Sequence, residues 1–523
     1  MSETKKKNGL FSNVRQDLPA SIVVFFVALP LCLGIALASG APLFSGLIAG
    51  IVGGILVGAL SNSALGVSGP AAGLAVIVLT AINSLEVFEA FLVAVVLAGI
   101  LQMVMGLLKG GVIGYYFPSS VIKGMLTGIG IIIILKQIPH TLGYDGDYEG
   151  DFAFQQVDGQ NTFSELLNMF NYISPGAVIV SIISLTILLT WDKFLSHRHK
   201  IFNLIQGPLV AVVIGIAYQM ISKVYFPDLA IEEQHLVSVP VAENFSGFIN
   251  QFKFPDFSYI FSSEIWIIAI TIAVVASLET LLCVEATDKL DPQKRITNTN
   301  RELLAQGAGN VLSGLIGGLP ITQVIVRSSA NIQSGGQSKL SAIFHGIFLL
   351  ICVASIPFVL NMIPLAVLAS ILLIVGYKLA KPSLFKQMYN LGWSQFTPFI
   401  VTILGIVFTD LLRGIAMGVI VGVVMILRNS FKNSHFLHQE IVDNGHHKVK
   451  MTLAEEVSFI NKGAILQELN ALPNGTKLTI DMGKSVSIDY DVLEIIDNFN
   501  STAKSKGIEV NLINRGEIQT ADY

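Results

Sequence analysis

The chain has 523 residues, of which 52% are hydrophobic and only 13% charged, with a formal net charge of −4 and a mean hydropathy of +0.68. A soluble globular protein carries about a quarter charged residues, so this composition describes a polytopic membrane protein, and the slightly acidic balance speaks against a nucleic-acid partner. Cys32, Cys283 and Cys352 all fall in apolar runs, which provides neither a disulfide framework nor a paired-cysteine metal site.

A polar tail over residues 1–16, with Lys5, Lys6 and Lys7, leads into the first apolar run without a clear cleavage site, so no cleavable signal peptide is expected. Apolar runs then occur near 18–39, 43–60, 70–82, 86–108, 119–138, 172–191, 203–222, 265–287, 302–317, 321–333, 340–360, 362–377, 395–409 and 412–428. Against the criterion of ~20 apolar residues per span, these are about fourteen full or half spans in a membrane domain over 17–430. In the first, Asp17 and Pro19 resemble a helix start and Pro30 an interruption. Basic residues fall on one side when the spans alternate: Arg15, Lys109, Lys193, Arg198, Lys200, Lys289, Lys294, Arg295, Arg301, Lys378, Lys381, Lys386, Arg428 and Lys432. The acids Asp145, Asp147, Glu149, Asp151 and Asp158, and those of the 228–243 loop, fall on the other. By the positive-inside rule both termini are cytoplasmic.

Two of the runs are short and begin with helix breakers. Gly317-Gly318-Leu319-Pro320-Ile321-Thr322-Gln323 opens a segment that reads as extended to Leu319 and helical from about Pro320 to Gln333. Such a helix is about 20 Å long, too short to cross a ~30 Å hydrocarbon core. Gly66-Val67-Ser68-Gly69-Pro70-Ala71-Ala72-Gly73 repeats the device earlier and leads to a short helix ending near Ile82. Paired interrupted segments at corresponding places in two halves point to a transporter site built from inverted repeats; kinks or loops inside ordinary spans are the alternative. Free N–H groups and the positive dipole end of a half-helix suit an anion. Ser68 and Thr322 place hydroxyls at the breaks, either for a ligand or as N-caps.

Charged residues inside spans are expensive and are functional candidates by default. Glu279 is the deepest acid, with apolar sequence before and after it and Thr280 and Cys283 beside it; it can exchange a proton, hold a cation, or tie two helices together as a hydrogen-bond acceptor. Glu285 and Asp288 share one face nearer the helix end, where Lys289, Lys294 and Arg295 offer ordinary ion pairs. Arg327, about two turns into the second short helix, must be paired or must add positive charge beside an anion, and Glu279 is one partner to consider. The segment Pro30-Leu31-Cys32-Leu33-Gly34 offers no polar side chain for a ligand and reads as an apolar wall with a kink, and Phe25 and Phe26 face either the site or the lipid.

Beyond about residue 434 the pattern becomes that of a soluble domain, 435–523. Strands are expected at 447–452, 457–460, 476–482 and 509–513, and helices at 464–472 and 490–504, as a small, shortened α/β domain with a mixed sheet and no final helix. Ser485 and Ser487 sit in what reads as a helix-start loop, with a phosphorylation switch as the alternative.

Several of these stretches together resemble the sulfate permease (SulP) family of anion transporters. They are Asp17-Leu18-Pro19-Ala20 with Ala28-Leu29-Pro30, Gly-x-Ser-Gly-Pro-x-Ala at 66–72, Arg301-Glu302-Leu303 with Gly307 and Asn310, and Arg327. The tail resembles the companion STAS domain through Ser485-Val486-Ser487-Ile488-Asp489-Tyr490-Asp491. The resemblance implies a seven-plus-seven inverted repeat with core and gate domains, usually a homodimer, moving sulfate, bicarbonate, chloride or dicarboxylates. By position it implies an anion between Ser68, Gly69, Pro70, Ala71, Ala72 and Ile321, Thr322, Val324, Ile325, with Arg327 behind it. It places Glu279, with Cys283, where cation-coupled members carry their acid. Phe26, Pro30, Leu31, Glu285 and Asp288 are secondary candidates.

Two departures bear on specificity and coupling. Leu31 stands where many relatives have glutamine, and Cys283 and Ile325 stand where sodium-coupled bicarbonate members use threonines. A thiol and an isoleucine are poor ligands for a hard cation, which favours a proton over sodium. The expectation is a secondary active transporter of sulfate or bicarbonate in a bacterial inner membrane, lipid-embedded, with no cofactor and no metal. Sodium–bicarbonate symport and dicarboxylate transport are the alternatives. A channel would need a more polar lining. A membrane enzyme would need a nucleophile, metal or phosphate-binding motif, and none is present.

Overall fold

A computed structural model describes residues 12–85, 87–146, 154–155, 159–191, 207–241, 245–432, 435–442, 446–513 and 519–520. Lys5, Lys6, Lys7, Asp147, Glu149, Asp151, Asp158, Lys193, Arg198 and Lys200 lie outside them. The chain separates into two compact units, Met1–Val419 and Ile420–Tyr523.

Apolar sequence with no water at hand can satisfy its backbone only within helices or closed sheets, and each of the fourteen apolar runs contains a helix. The order begins α1 (Val14–Ala38), α2 (Leu43–Leu60), β1 (Ser68–Pro70), α3 (Ala72–Leu85), α4 (Phe88–Leu107) and α5 (Ser119–Leu142). A pair bent by 116°, α6 (Thr162–Asn171) and α7 (Pro175–Thr190), precedes α8 (Gly207–Tyr225). The second half runs α9 (Ser263–Leu290), α10 (Thr299–Leu315), β2 (Ile321–Gln323), α11 (Ile325–Gln333), α12 (Leu340–Ser355), α13 (Leu365–Leu379), α14 (Trp393–Phe408) and α15 (Leu411–Lys432). Eight helices among the described residues are long and apolar enough to cross a membrane, or nine with the bent pair counted as one span. This is an integral membrane protein.

Two expectations for α1 are corrected. Pro30 does not interrupt it; the helix runs unbroken through Pro19 and Pro30, as proline-containing membrane helices can when neighbours pack around them. Nor does Asp17 start it, since α1 begins at Val14. Asp17 is fully buried and instead accepts from the Gln337 N–H at 2.7 Å, the Ser338 N–H at 3.0 Å and the Ser338 hydroxyl. It thus satisfies the turn ahead of α12, as a carboxylate does at a helix N-terminus.

Helices α4 and α10 approach closely through glycine. A Cβ on Gly99 would lie 2.6 Å from the Gly307 carbonyl oxygen, and one on Gly307 would lie 2.6 Å from that of Gly99. Small residues let membrane helices pack backbone to backbone, and this contact fixes the helix that later supports the site.

The second unit contains a four-stranded sheet in the order β3 (His435–Val442), β4 (His446–Leu453), β6 (Lys477–Asp481), β8 (Glu509–Ile513). The β3–β4 pair is antiparallel and the other two pairs are parallel, so the sheet is mixed as expected. Short strands β5 (Glu456–Val457), β7 (Ser487–Ile488) and β9 (Gln519–Thr520) form a second parallel set. Helices α16 (Lys462–Ala471) and α17 (Tyr490–Ala503) cover a core that includes Met451, Ile465, Ile480, Val492 and Ile496. The strand expected at 457–460 stops at Val457, because Ser458 and Asn461 form a reciprocal cap that turns the chain. Asp489, not a serine, caps α17 by accepting from the Asp491 N–H, while Ser485 donates to the Ala454 carbonyl at 2.8 Å.

Just past α5, the Asp145 carboxylate accepts from Nδ1 of His140 and, at 2.5 Å, from Nδ1 of His235, joining the end of α5 to the loop between α8 and α9. Burial opposes its ionisation, but the hydrogen bonds and charges of the two histidines outweigh burial and bring its carboxyl down to about 2. A depressed carboxyl stabilises the fold fully above its unfolded value of ~3.9, and the contribution fades as pH falls through the folded value. In thermal unfolding of purified protein, Asp145→Asn should be less stable than wild type at neutral pH, by on the order of 2 kcal/mol. The gap should narrow below about pH 4; a gap constant from pH 7 to pH 3 refutes the linkage.

Candidate functional site

Ser68, Gly69 and Pro70 pair antiparallel with Gln323, Thr322 and Ile321. Because α3 follows β1 and α11 follows β2, the two short helices leave this ladder in opposite directions, and both N-termini face its centre. The helix predicted from Pro320 therefore begins at Ile325. Ladder bonds hold Ile321–Gln323 extended, and the Asn310 side chain takes both backbone groups of Ile321, accepting from its N–H at 2.5 Å and donating to its carbonyl at 3.0 Å. Neither α3 nor α11 has a side-chain N-cap. Such ends present N–H groups and a partial positive charge.

The late helix start puts Arg327 in the first turn of α11 rather than two turns in. It is fully buried. Its Nη2 donates to Cys32 Sγ at 3.2 Å, while Nε and Nη1 have no hydrogen-bond partner among the described residues. The guanidinium lies against the ladder, for a Cβ on Gly69 would stand 2.0 Å from Nη1. Glu279 is not its partner, contrary to one sequence-based option. That carboxylate faces the other helix end at Gly73, whose added Cβ would lie 3.0 Å from Oε2. An isolated buried cation is costly, and among the described residues no anion neutralises this one.

Glu279 is 5% exposed and lies on α9 beside both breaks. One helical turn on, Cys283 is buried with it. Thr280 Oγ1 accepts from the Gln323 N–H at 3.3 Å, and Thr287 Oγ1 accepts from Gln323 Nε2 at 2.9 Å, so α9 grips β2 on the Glu279 side.

A sequence profile described as the Sulfate permease family matches residues 14–402. The chain belongs to that family. Its similarity to "Putative sulfate transporter YvdB" of Bacillus subtilis is 27% identity over 82% of this chain and 76% of the relative. Its similarity to "Bicarbonate transporter BicA" of a Picosynechococcus species is 25% identity over 96% of this chain and 89% of the relative. The solved structure titled "The overall structure of SLC26A9" shares the fold at a TM-score of 0.66, with 16% identity, covering 97% of this chain and 85% of that one. The sulfate permease family is one of transporters, not enzymes.

Within this family member the remaining candidates divide by position. Ala71 and Ala72 begin α3, and Val324 and Ile325 begin α11, around the ladder. Thr322 is fully buried and its Oγ1 has no partner among the described residues, so it is not an N-cap. Ser68 is not one either, since its hydroxyl oxygen accepts from Gln306 Nε2 at 2.7 Å. Phe26, Pro30 and Leu31 are buried on α1; Phe26 stacks edge-on against Phe25 with centroids 5.1 Å apart. Cys32, read as part of an apolar wall, is the residue that meets Arg327. Glu285 pairs with Lys289 at 3.1 Å, and Asp288 accepts from the Thr297 N–H and hydroxyl, each at 2.7 Å. Those two acids serve the end of α9 and its following turn.

The sequence reading missed α10 as a source of site residues. Glu302, Gln306, Asn310 and Ser313 are all fully buried, and their spacing of four, four and three residues places them on one helical face. Ser313 Oγ donates to the Leu319 carbonyl at 2.7 Å, so this face touches both breaks. Polar residues at helical spacing in a glycine-rich apolar run were the available signal.

The contact between Gly69 and Arg327 yields a stability prediction. Gly69→Ala should lower the stability of purified protein by ~1–3 kcal/mol through overpacking, read by thermal unfolding in detergent. In an Arg327→Met background the same substitution should cost clearly less, because the flexible chain yields. Equal costs in both backgrounds contradict the contact.

Proposed function

We propose that this protein is a secondary active transporter of small inorganic anions, sulfate or bicarbonate, working by alternating access and coupled to protons. The observation that carries the reading is Arg327: a fully buried guanidinium with no counter-charge among the described residues, where two helix N-termini without side-chain N-caps converge. A small oxyanion between Ser68–Ala72 and Ile321–Ile325 would meet backbone N–H groups, the Ser68 and Thr322 hydroxyls and the charge behind them. The names of the relatives, a putative sulfate transporter and a bicarbonate transporter, support this substrate class. An anion that supplies the missing negative charge binds strongly only while it occupies this point, which suits a site alternately opened to the two faces of the membrane.

Glu279 is the proposed coupling group. It faces Gly73 rather than Arg327, with Cys283 one turn on, so its proton is exchanged next to the anion site with no ion pair among the described residues to hold it ionised. Cys283 in place of an oxygen ligand supports a proton over sodium. Both termini are assigned to the cytoplasm of a bacterial inner membrane, with residues 1–16 as a tail, 17–430 as the lipid-embedded transporter and 435–523 as a STAS-like regulatory or dimer-supporting domain of a homodimer.

Uptake of labelled sulfate and labelled bicarbonate into proteoliposomes, under an imposed proton gradient, a sodium gradient or neither, tests the reading. Wild type should accumulate one anion when protons drive it, and Glu279→Gln should retain only downhill exchange. Accumulation driven by sodium alone makes it a sodium–bicarbonate or sodium–sulfate symporter instead. Uphill accumulation by Glu279→Gln removes Glu279 from coupling.

A further inference from the structure

The buried acid of α10 has no part in the transport reading above, yet it is linked to the proposed anion site by two consecutive hydrogen bonds. Gln306 Nε2 donates to Glu302 Oε1 at 3.0 Å and to Ser68 Oγ at 2.7 Å. Glu302 is itself surrounded by donors: Ser61 Oγ at 2.5 Å on Oε2, with the backbone N–H groups of Asn62 and Ser63 beside it. Glu302, Gln306 and Ser61 are all buried.

The chemistry of this chain sets the direction of every bond in it. A carboxylate encircled by donors presents acceptors, so the atom of the Gln306 amide that faces it must be the nitrogen. The amide has two hydrogens, and the two neighbours of Nε2, Glu302 and Ser68, use both. That orientation leaves Gln306 Oε1 without a partner among the described residues, so Glu302 decides which way the amide points. Ser68 Oγ then receives a hydrogen, and its own proton is directed elsewhere. Among the described residues no acceptor for that proton is present. One of the two lone pairs of the Ser68 oxygen is taken by Gln306, which biases the hydroxyl toward offering its proton to an incoming anion.

We propose that Glu302 and Gln306 are positioning residues that fix the Ser68 hydroxyl as a hydrogen-bond donor toward the anion. This inference rests on the assignment of the anion to the ladder. It makes anion affinity depend on a carboxylate that never touches the anion, acting through one amide and one hydroxyl.

The test is a double-mutant cycle on saturable uptake of labelled sulfate or labelled bicarbonate, whichever the wild type accumulates, with KM and maximal rate measured separately. Ser68→Ala should raise KM by ~10-fold, as loss of a hydrogen bond to a charged ligand does, with the maximal rate changed much less. Gln306→Met should raise KM to a similar degree. The double variant should be no worse than Ser68→Ala alone, because Gln306 acts only through Ser68. Multiplying losses, approaching ~100-fold in the double variant, overturn the proposal. Where Gln306→Met gives no folded protein, Glu302→Gln replaces it. It should raise KM several-fold when Ser68 is present and leave KM unchanged in the Ser68→Ala background; an equal effect in both backgrounds counts against the relay. Arg327→Gln separates the two levels of inference. If it abolishes saturable uptake while the Ser68 and Gln306 losses multiply, the relay alone fails. If it leaves KM unchanged, the anion is elsewhere and both readings fall.

Discussion

Six residues of backbone pairing hold the centre of this membrane domain. Within a bilayer every N–H and C=O needs a partner inside the protein, and a helix broken at mid-depth loses several at once. Here the losses are met by joining the two breaks to each other. Ser68–Pro70 and Ile321–Gln323 pair antiparallel, and the Val324 N–H continues the pairing onto the Val67 carbonyl at 2.9 Å. The groups left over are taken by buried side chains. Ser328 accepts from the Val67 N–H at 3.0 Å, Asn331 donates to the Leu65 carbonyl at 3.0 Å, and Asn310 and Ser313 attend the approach to β2. With the breaks satisfied in this way, two helix N-termini meet at the same point without side-chain N-caps.

The ladder also keeps opposite charges apart. Arg327 turns toward Cys32 and Gly69, while Glu279 turns toward Gly73. Had the two met, each would have neutralised the other, and neither a buried positive charge nor an unpaired acid would remain beside the ladder. Gly69 and Gly73 make this separation sterically feasible, since each brings a charged side chain directly against backbone.

Much of this was readable from residue types. Hydropathy placed all fourteen segments, and the glycine–proline clusters at 66–73 and 317–320 located both breaks. The misplacements have definite causes. Pro320 is a good helix-start signal, but pairing with a strand 250 residues away, together with Asn310, overrode it; no local pattern reveals that. Asp17 was read as a cap for its own helix when its partners are Gln337 and Ser338, again a long-range contact. Arg327 and Glu279 were identified as buried charges, but which side chains they face depends on how α1, α9 and α11 pack. The polar face of α10 is visible in the sequence, but a glycine-rich run that includes Glu302 reads poorly as a span.

That face has a mechanical meaning. Asn310 holds β2, Gln306 reaches Ser68 of β1, and Ser313 secures Leu319, all from one helix whose back is locked to α4 by Gly99 and Gly307. The two half-helices therefore cannot separate from one another without breaking several buried hydrogen bonds at once. A displacement of either half-helix takes the other with it, as two rails joined by the same rungs move together.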